Sequence, residues 1–173
     1  MSAGNVFAGD VLTIPFQGSD FAANGLNVTT SNGVIKCPVY RDILISSCIF
    51  QLTTVAASTF IGVGIYDLNG IKIASFDGFD VSTAAGGNNT PRSKTLAKPF
   101  VLKAGVYLFS CGAVGVNIPQ LGGVPGTGAI TARITARTRL NAANGVAAGG
   151  VCPATLGALA AGSGQPFPQL MFV

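Results

Sequence analysis

The sequence has no His, no Glu and no Trp, and charged residues make up only 9% of its 173 positions. An ordinary soluble domain carries roughly a quarter. Without His and Glu, two common carriers of general acid–base catalysis are missing, a Cys nucleophile lacks an imidazole base, and zinc lacks a His ligand. Scarce charge also leaves little to keep a solitary monomer in solution, so the uncharged surface is expected to be hidden by neighbouring chains.

Two stretches, 104–132 and 140–173, carry no charge at all. A bilayer helix needs about 20 predominantly apolar residues in a row, and Gly, Pro, Asn and Gln interrupt both stretches, so no membrane span is expected. The opening "MSAGNVFAGDVL" has no basic segment ahead of an apolar run, so it does not read as a secretory signal. A cytosolic compartment is expected, and the sequons at 27–29 and 88–90 are then empty matches. Cys37, Cys48, Cys111 and Cys152 fit no CxxC zinc spacing and read as small buried apolar thiols.

What the chain does contain is Gly, 24 residues of it, and 49% apolar residues. Its length suits one domain: a small-residue arm over 1–10, able to reach a neighbouring subunit, then a single domain over 11–173. The hydrophobic period is two almost throughout. A short strand over 11–16 contains Pro15 and suits an edge. Another over 43–52 has Leu44, Cys48, Phe50 and Leu52 as its core-facing set, with polar Ser46 as the exception. The sharpest signal is "FIGVGIYDLNGIKIASFDG", two β-runs about Asn69-Gly70, which predicts a hairpin with a type I′ turn. Ile61, Val63 and Ile65 alternate on one arm, Ile71 and Ile73 on the other, and Lys72 points to the opposite face.

A polar loop over 81–94 follows, then two strands joined at Lys103-Ala104-Gly105, another loop over 117–128, and the stretch "TARITARTR". There Ala132, Ile134, Ala136, Thr138 and Leu140 share one face of a strand, while Arg133, Arg137 and Arg139 share the other with Thr131 and Thr135. A short helix over 154–161 and a final strand in "FPQLMFV" complete the pattern. Many short strands separated by Gly and Pro, with no alternating helices, predict an all-β fold: a two-sheet antiparallel β-sandwich, jelly-roll-like, with little or no helix.

Few residues offer chemistry. Asp77 and Asp80 in "DGFD" are the nearest pair of carboxylates, but they lack calcium-loop spacing and read as turn residues. Ser93 and Lys94 are adjacent and face opposite sides of a strand, and no Gly-rich stretch is followed by the Lys of a phosphate loop. No enzyme activity and no cofactor are expected. Modules that grip single-stranded nucleic acid interleave cations with aromatics; the Arg133, Arg137, Arg139 stripe is interleaved with Thr, Ala and Ile. It reads as a solvated face or, because Arg pairs bidentately with carboxylates that this chain barely supplies, as a contact to another protein.

"GVGIYDLNGIKIAS", then "KPFVLKAGVYLFSCGA", and late in the chain "CPATLG" with "QPFPQLMFV", together resemble a β-sandwich domain recurrent in tailed-phage virion proteins. The likeness runs over about residues 60–173 as a set of short motifs. It implies a non-enzymatic structural role on a virus particle, as a capsid decoration (cement) protein, a head fibre or a tail-fibre tip, commonly trimeric. On that implication Tyr66, Asp67, Asn69, Gly70, Gly105 and Tyr107 carry turn geometry, and the partners are sister subunits and the major capsid protein, with no nucleic acid and no membrane. The missing Trp and the missing stalk depart from many fibre proteins and favour decoration of the outer capsid surface. The rival is a tail-fibre tip that recognises host glycan, and composition alone also suits an ordinary cellular structural protein.

Overall fold

The computed structural model describes residues 12–14, 22–27, 32–123, 140–161 and 168–173. They form twelve strands: β1 (Leu12–Ile14), β2 (Ala22–Asn27), β3 (Asn32–Val39), β4 (Ile43–Thr54), β5 (Phe60–Tyr66), β6 (Lys72–Asp80), β7 (Thr90–Leu102), β8 (Gly105–Val114), β9 (Gln120–Gly123), β10 (Leu140–Ala142), β11 (Leu159–Ala161) and β12 (Leu170–Phe172). Strands β2 to β9 are laid down as β2-β9-β4-β7 in one sheet and β3-β8-β5-β6 in the other, every pair antiparallel. That is the jelly-roll order, two Greek keys folded face to face. The β12-β1 pair extends the first sheet from β4, and β10-β11 extends the second from β3.

Between the sheets lies the main core, with Ile35, Ile45, Phe50, Leu52, Ile61, Val63, Ile65, Phe76, Phe109 and Phe172 essentially dry. Phe50 meets Phe79 across the sandwich at 4.7 Å between ring centroids, and Phe172 lies 5.8 Å from Phe76 and 5.5 Å from Phe109, all tilted. Such offset geometry suits the ring quadrupoles. All four cysteines are buried thiols. The short strand expected over 11–16 is at the sheet's end, β1 pairing with β12 among the described residues, and Pro15 lies outside them.

Strand β4 corrects the expected core set. Ile43 and Ile45 face inward and Leu44 does not, yet Cys48, Phe50 and Leu52 are buried. The face switches because the strand bulges at Ser46-Ser47: both amides donate to Val173 O, at 2.6 and 2.8 Å, and the Ser46 hydroxyl joins them at 2.8 Å. An extra residue in a bulge moves the alternation by one, which is why polar Ser46 broke the pattern.

The hairpin forms, with a different turn. Gly70 has φ +78° while Asn69 keeps an ordinary negative φ. Gly70 N donates to Asp67 O at 3.0 Å, and Asp67 N to Ile71 O at 3.0 Å. This is a three-residue loop, a type I turn closed by a left-handed glycine, rather than type I′. The Asp67 carboxylate selects it by accepting from the amides of Asn69 and Ile71 at 2.9 and 2.8 Å. Ala74 pairs with inward Ile65 and Lys72 with Tyr66, the register shifting between them, so Ile73 alternates outward and Ile71 stands at the turn, 43% and 56% exposed. They belong to the surface and not to the core. The next turn, after Leu102, is held by Tyr107, whose hydroxyl donates to Lys103 O at 2.9 Å.

The expected helix over 154–161 is absent. Thr155 bridges to Ile71, and β11 pairs with β10. Eight residues interrupted by Gly157 are too few for a stable isolated helix, and the free edge of β10 offers ladder bonds instead. Asp77 lies within β6 rather than in a turn: Asp77-Gly78 is a bulge with Gly78 at φ +69°, and this puts both Phe76 and Phe79 on the inner face, whereas Asp80 ends the strand and accepts from Ser82 N at 2.8 Å as a turn residue.

Candidate functional site

Three features of the described surface gather polar or apolar side chains of interest. The first lies on the outer face of the β3-β8-β5-β6 sheet, where the stretch over 143–158 crosses as a strap. Strand alternation puts Gly62, Gly64 and Gly112 on this face. A Cβ at Gly62 would sit 2.5 Å from Gly150 O and 2.9 Å from Cys152 Sγ, and one at Gly112 2.7 Å from Val146 Cγ2. Gly62 and Gly112 are therefore the floor on which the strap rests, while Gly64 makes room for the Tyr66 ring. Val34, Tyr66, Leu108, Ala142 and Leu156 form a second small core beneath it.

The side chains around the strap hold its backbone. Tyr66 OH donates to Pro153 O at 3.0 Å, and Lys72 Nζ to Cys152 O at 2.9 Å. Asp77 Oδ1 accepts from Cys152 N at 2.9 Å, while its Oδ2 accepts from Ser75 Oγ at 3.0 Å. Burial, and then the neighbouring Asp77 carboxylate, pushes the Cys152 thiol up; burial followed by Cys152 does the same to Tyr66. Cys48 is raised by burial in the main core. A thiol held protonated is a poor nucleophile, and Tyr66, Lys72 and Asp77 around it fasten the backbone of the strap.

The second feature is a shallow cleft of about 410 Å³ along the β6-β7 side, lined in part by Phe79, Asp80, Arg92 and Lys94. Lys94 reaches from β7 to the carbonyls of Asp77 and Gly78 on β6, joining the edges of the two sheets. Buried Arg92 donates to Thr90 Oγ1 at 2.8 Å and to Gly86 O at 2.7 Å, fixing the 81–89 loop. Asp80 is held below the usual carboxylate range by hydrogen bonds from Ser82, the backbone bond first, and to a lesser extent by Arg92. Ser93 points to solvent while Lys94 points toward β6, the opposite sides expected of neighbours in a strand. Asp77 and Asp80 have separate tasks, one at the strap and one at a turn. Among the described residues no group of three His, Cys, Asp or Glu side chains is placed to hold a metal.

The third feature is one end of the sandwich. The β3-β4, β5-β6 and β7-β8 connections meet there, because Val39 pairs with Gly105 and Tyr66 with Leu108. Asp42 ties two of them together, accepting from Lys103 Nζ and Ala104 N, each at 2.8 Å. Those bonds, the Lys103 one first, hold its carboxyl below the ordinary 3.8. Around this pair Tyr40, 82% exposed, and the exposed Leu68, Ile71, Val101 and Val106 stand beside charged Arg41 and Asp67. Strand periodicity gave no sign of this, because each residue comes from a different turn or strand end.

Arg133, Arg137 and Arg139, the stripe singled out from the sequence, lie outside the described residues, as does the 1–10 arm. No family model matches the chain, and no curated protein matches it either.

Proposed function

We propose that this protein is a capsid decoration (cement) protein of a tailed phage, a homotrimeric, non-enzymatic jelly roll that sits on the outer shell and clamps major capsid subunits. The observation that carries the reading is the number of large apolar side chains that meet the solvent, Tyr40, Leu68, Ile71, Val101 and Val106 at one end of the sandwich among them, in a chain with only sixteen formal charges, ten Lys or Arg and six Asp. Exposed apolar groups gathered in one region mark a protein contact. The polar groups of the strap and the cleft serve internal fastening, and the likeness of the hairpin and the Leu102 to Tyr107 turn to phage virion domains points the same way.

The mechanism is mass action. A subunit that binds only the assembled shell stabilises it, by about 2.7 kcal/mol per site at a free concentration a hundred times Kd. Three linked copies on one footprint add avidity. Arg133, Arg137 and Arg139 contact a sister subunit or an acidic shell surface. Immunogold microscopy of phage particles tests the location: gold spread over the head is the expected result, and gold confined to the tail end overturns it. Arg137→Asp is expected to lower particle occupancy, and unchanged occupancy removes the stripe from the interface.

One observation favours the rival reading, a tail-fibre tip recognising host glycan. The open ring of Tyr40 is the kind of platform on which a sugar stacks, whereas Tyr66 is buried and Tyr107 is tied to its own turn. Saturable binding on a glycan array that Tyr40→Ala abolishes would favour that rival over decoration.

A further inference from the structure

The chain contains four Asn-Gly pairs, at 24–25, 32–33, 69–70 and 144–145. Asn-Gly is the dipeptide in which the following amide nitrogen most easily reaches the Asn side-chain carbon, because glycine has no Cβ to hinder the approach. The fold treats the pairs unequally. Asn32 is fully buried within β3. Asn144 has both ends of its carboxamide held, donating to Thr155 O at 2.7 Å and accepting from Gly157 N at 2.5 Å. The side chain of Asn24 lies outside the described residues. Asn69 stands exposed at the tip of the hairpin, and its carboxamide makes no hydrogen bond among the described residues.

We propose that Asn69 is a site of spontaneous modification whose rearrangement unfastens the strap. Gly70 N, after giving up its proton to solvent base, attacks Asn69 Cγ; the bond from Cγ to the side-chain nitrogen breaks, and ammonia leaves. Water then opens the succinimide at either carbonyl, giving aspartate or, with the main chain rerouted through the side chain, isoaspartate. The balance is one water in and one ammonia out, with no oxidation or reduction. Gly70 is buried against Leu156 and its amide donates to Asp67 O, so the turn must open locally before the attack.

This turn is the strap's buckle. Gly70 O accepts from Leu156 N at 2.8 Å, Lys72 N donates to Ala154 O at 2.9 Å, and Ile71 bridges to Thr155 between them. Isoaspartate lengthens the backbone of the turn by one carbon, and either product sets a new carboxylate two residues from Asp67. The rearranged turn no longer presents Gly70 O to Leu156.

The test holds the folded, full chain in mildly alkaline buffer and follows each Asn-Gly pair by peptide mapping. Asn69 is expected to convert roughly five- to thirtyfold faster than Asn144, the factor set by the one or two hydrogen bonds that restrain Asn144. Amide exchange over 154–158 is expected to rise in the converted fraction. Asn69→Ser, which keeps a turn-forming residue, is expected to abolish both changes while melting like the parent. Equal rates at Asn69 and Asn144, or full conversion with exchange over 154–158 unchanged, would overturn the proposal.

Discussion

Gly62 is the sharpest place to perturb the molecule. In Gly62→Ala the new methyl would lie 2.5 Å from Gly150 O, 2.9 Å from Cys152 Sγ and 3.1 Å from Val146 Cγ1. The first of these is a backbone atom that no rotamer change can move, and Cys152 N is anchored to Asp77. Inserting a methyl into a filled site costs about 1–3 kcal/mol, and the immovable carbonyl argues for the upper half of that range. Alanine restricts the unfolded chain, which returns about 0.4–1 kcal/mol. The net loss is about 2 kcal/mol, a fall in Tm of roughly 4–8 °C for a chain of this size. Gly87→Ala is the matched control, because a Cβ there meets nothing within 4 Å and the residue has no left-handed φ. Thermal unfolding followed by circular dichroism reads both variants, and hydrogen exchange over 146–152 reads the strap. If Gly62→Ala melts with the control, or melts early with exchange over 146–152 unchanged, the strap does not rest on β5 and the reasoning fails.

Asp42 gives an acid-side prediction. Its carboxyl is held below the ordinary 3.8 by Lys103 and Ala104, so the ionised form contributes stability that is fully present above that value and is lost as pH falls through the lower folded one. The difference in urea midpoint between the parent and Asp42→Asn is expected to be constant near neutrality and to close in acid; a difference that persists in acid refutes the assignment. The four buried cysteines, with Cys48 and Cys152 pushed up by burial, are expected to resist alkylation until the chain unfolds. Rapid labelling of the native protein at Cys152 would show that the strap opens on its own.

Period-two alternation made the sandwich legible, and Asn69-Gly70 located the hairpin, because both signals are local. What failed depended on residues far away in sequence. The bulge that turns Leu44 out of the core is held by Val173, and Ile71, at the exposed turn, bridges to Thr155 of the strap. Alanine-rich 154–161 has a helical propensity that the free edge of β10 overrides. Gly62 and Gly112 were the one available sign of the strap, since glycine in mid-strand marks a close approach of another segment. Tyr40 and its apolar neighbours have no common period, so only the meeting of three connections puts them together.

The clamp of Val173 on Ser46 and Ser47 also bears on how quickly the molecule assembles. Those partners are 127 residues apart, and the length-dependent cost of closing such a loop is on the order of 4 kcal/mol in chain entropy. Antiparallel sandwiches built on distant pairings fold in milliseconds to seconds rather than microseconds. Until β12 docks, the inner edge of β4 and the faces of Phe76 and Phe109 that Phe172 covers stay open. Any state in which β12 is undocked therefore shows these apolar rings to neighbouring copies, and docking of β12 is what hides them.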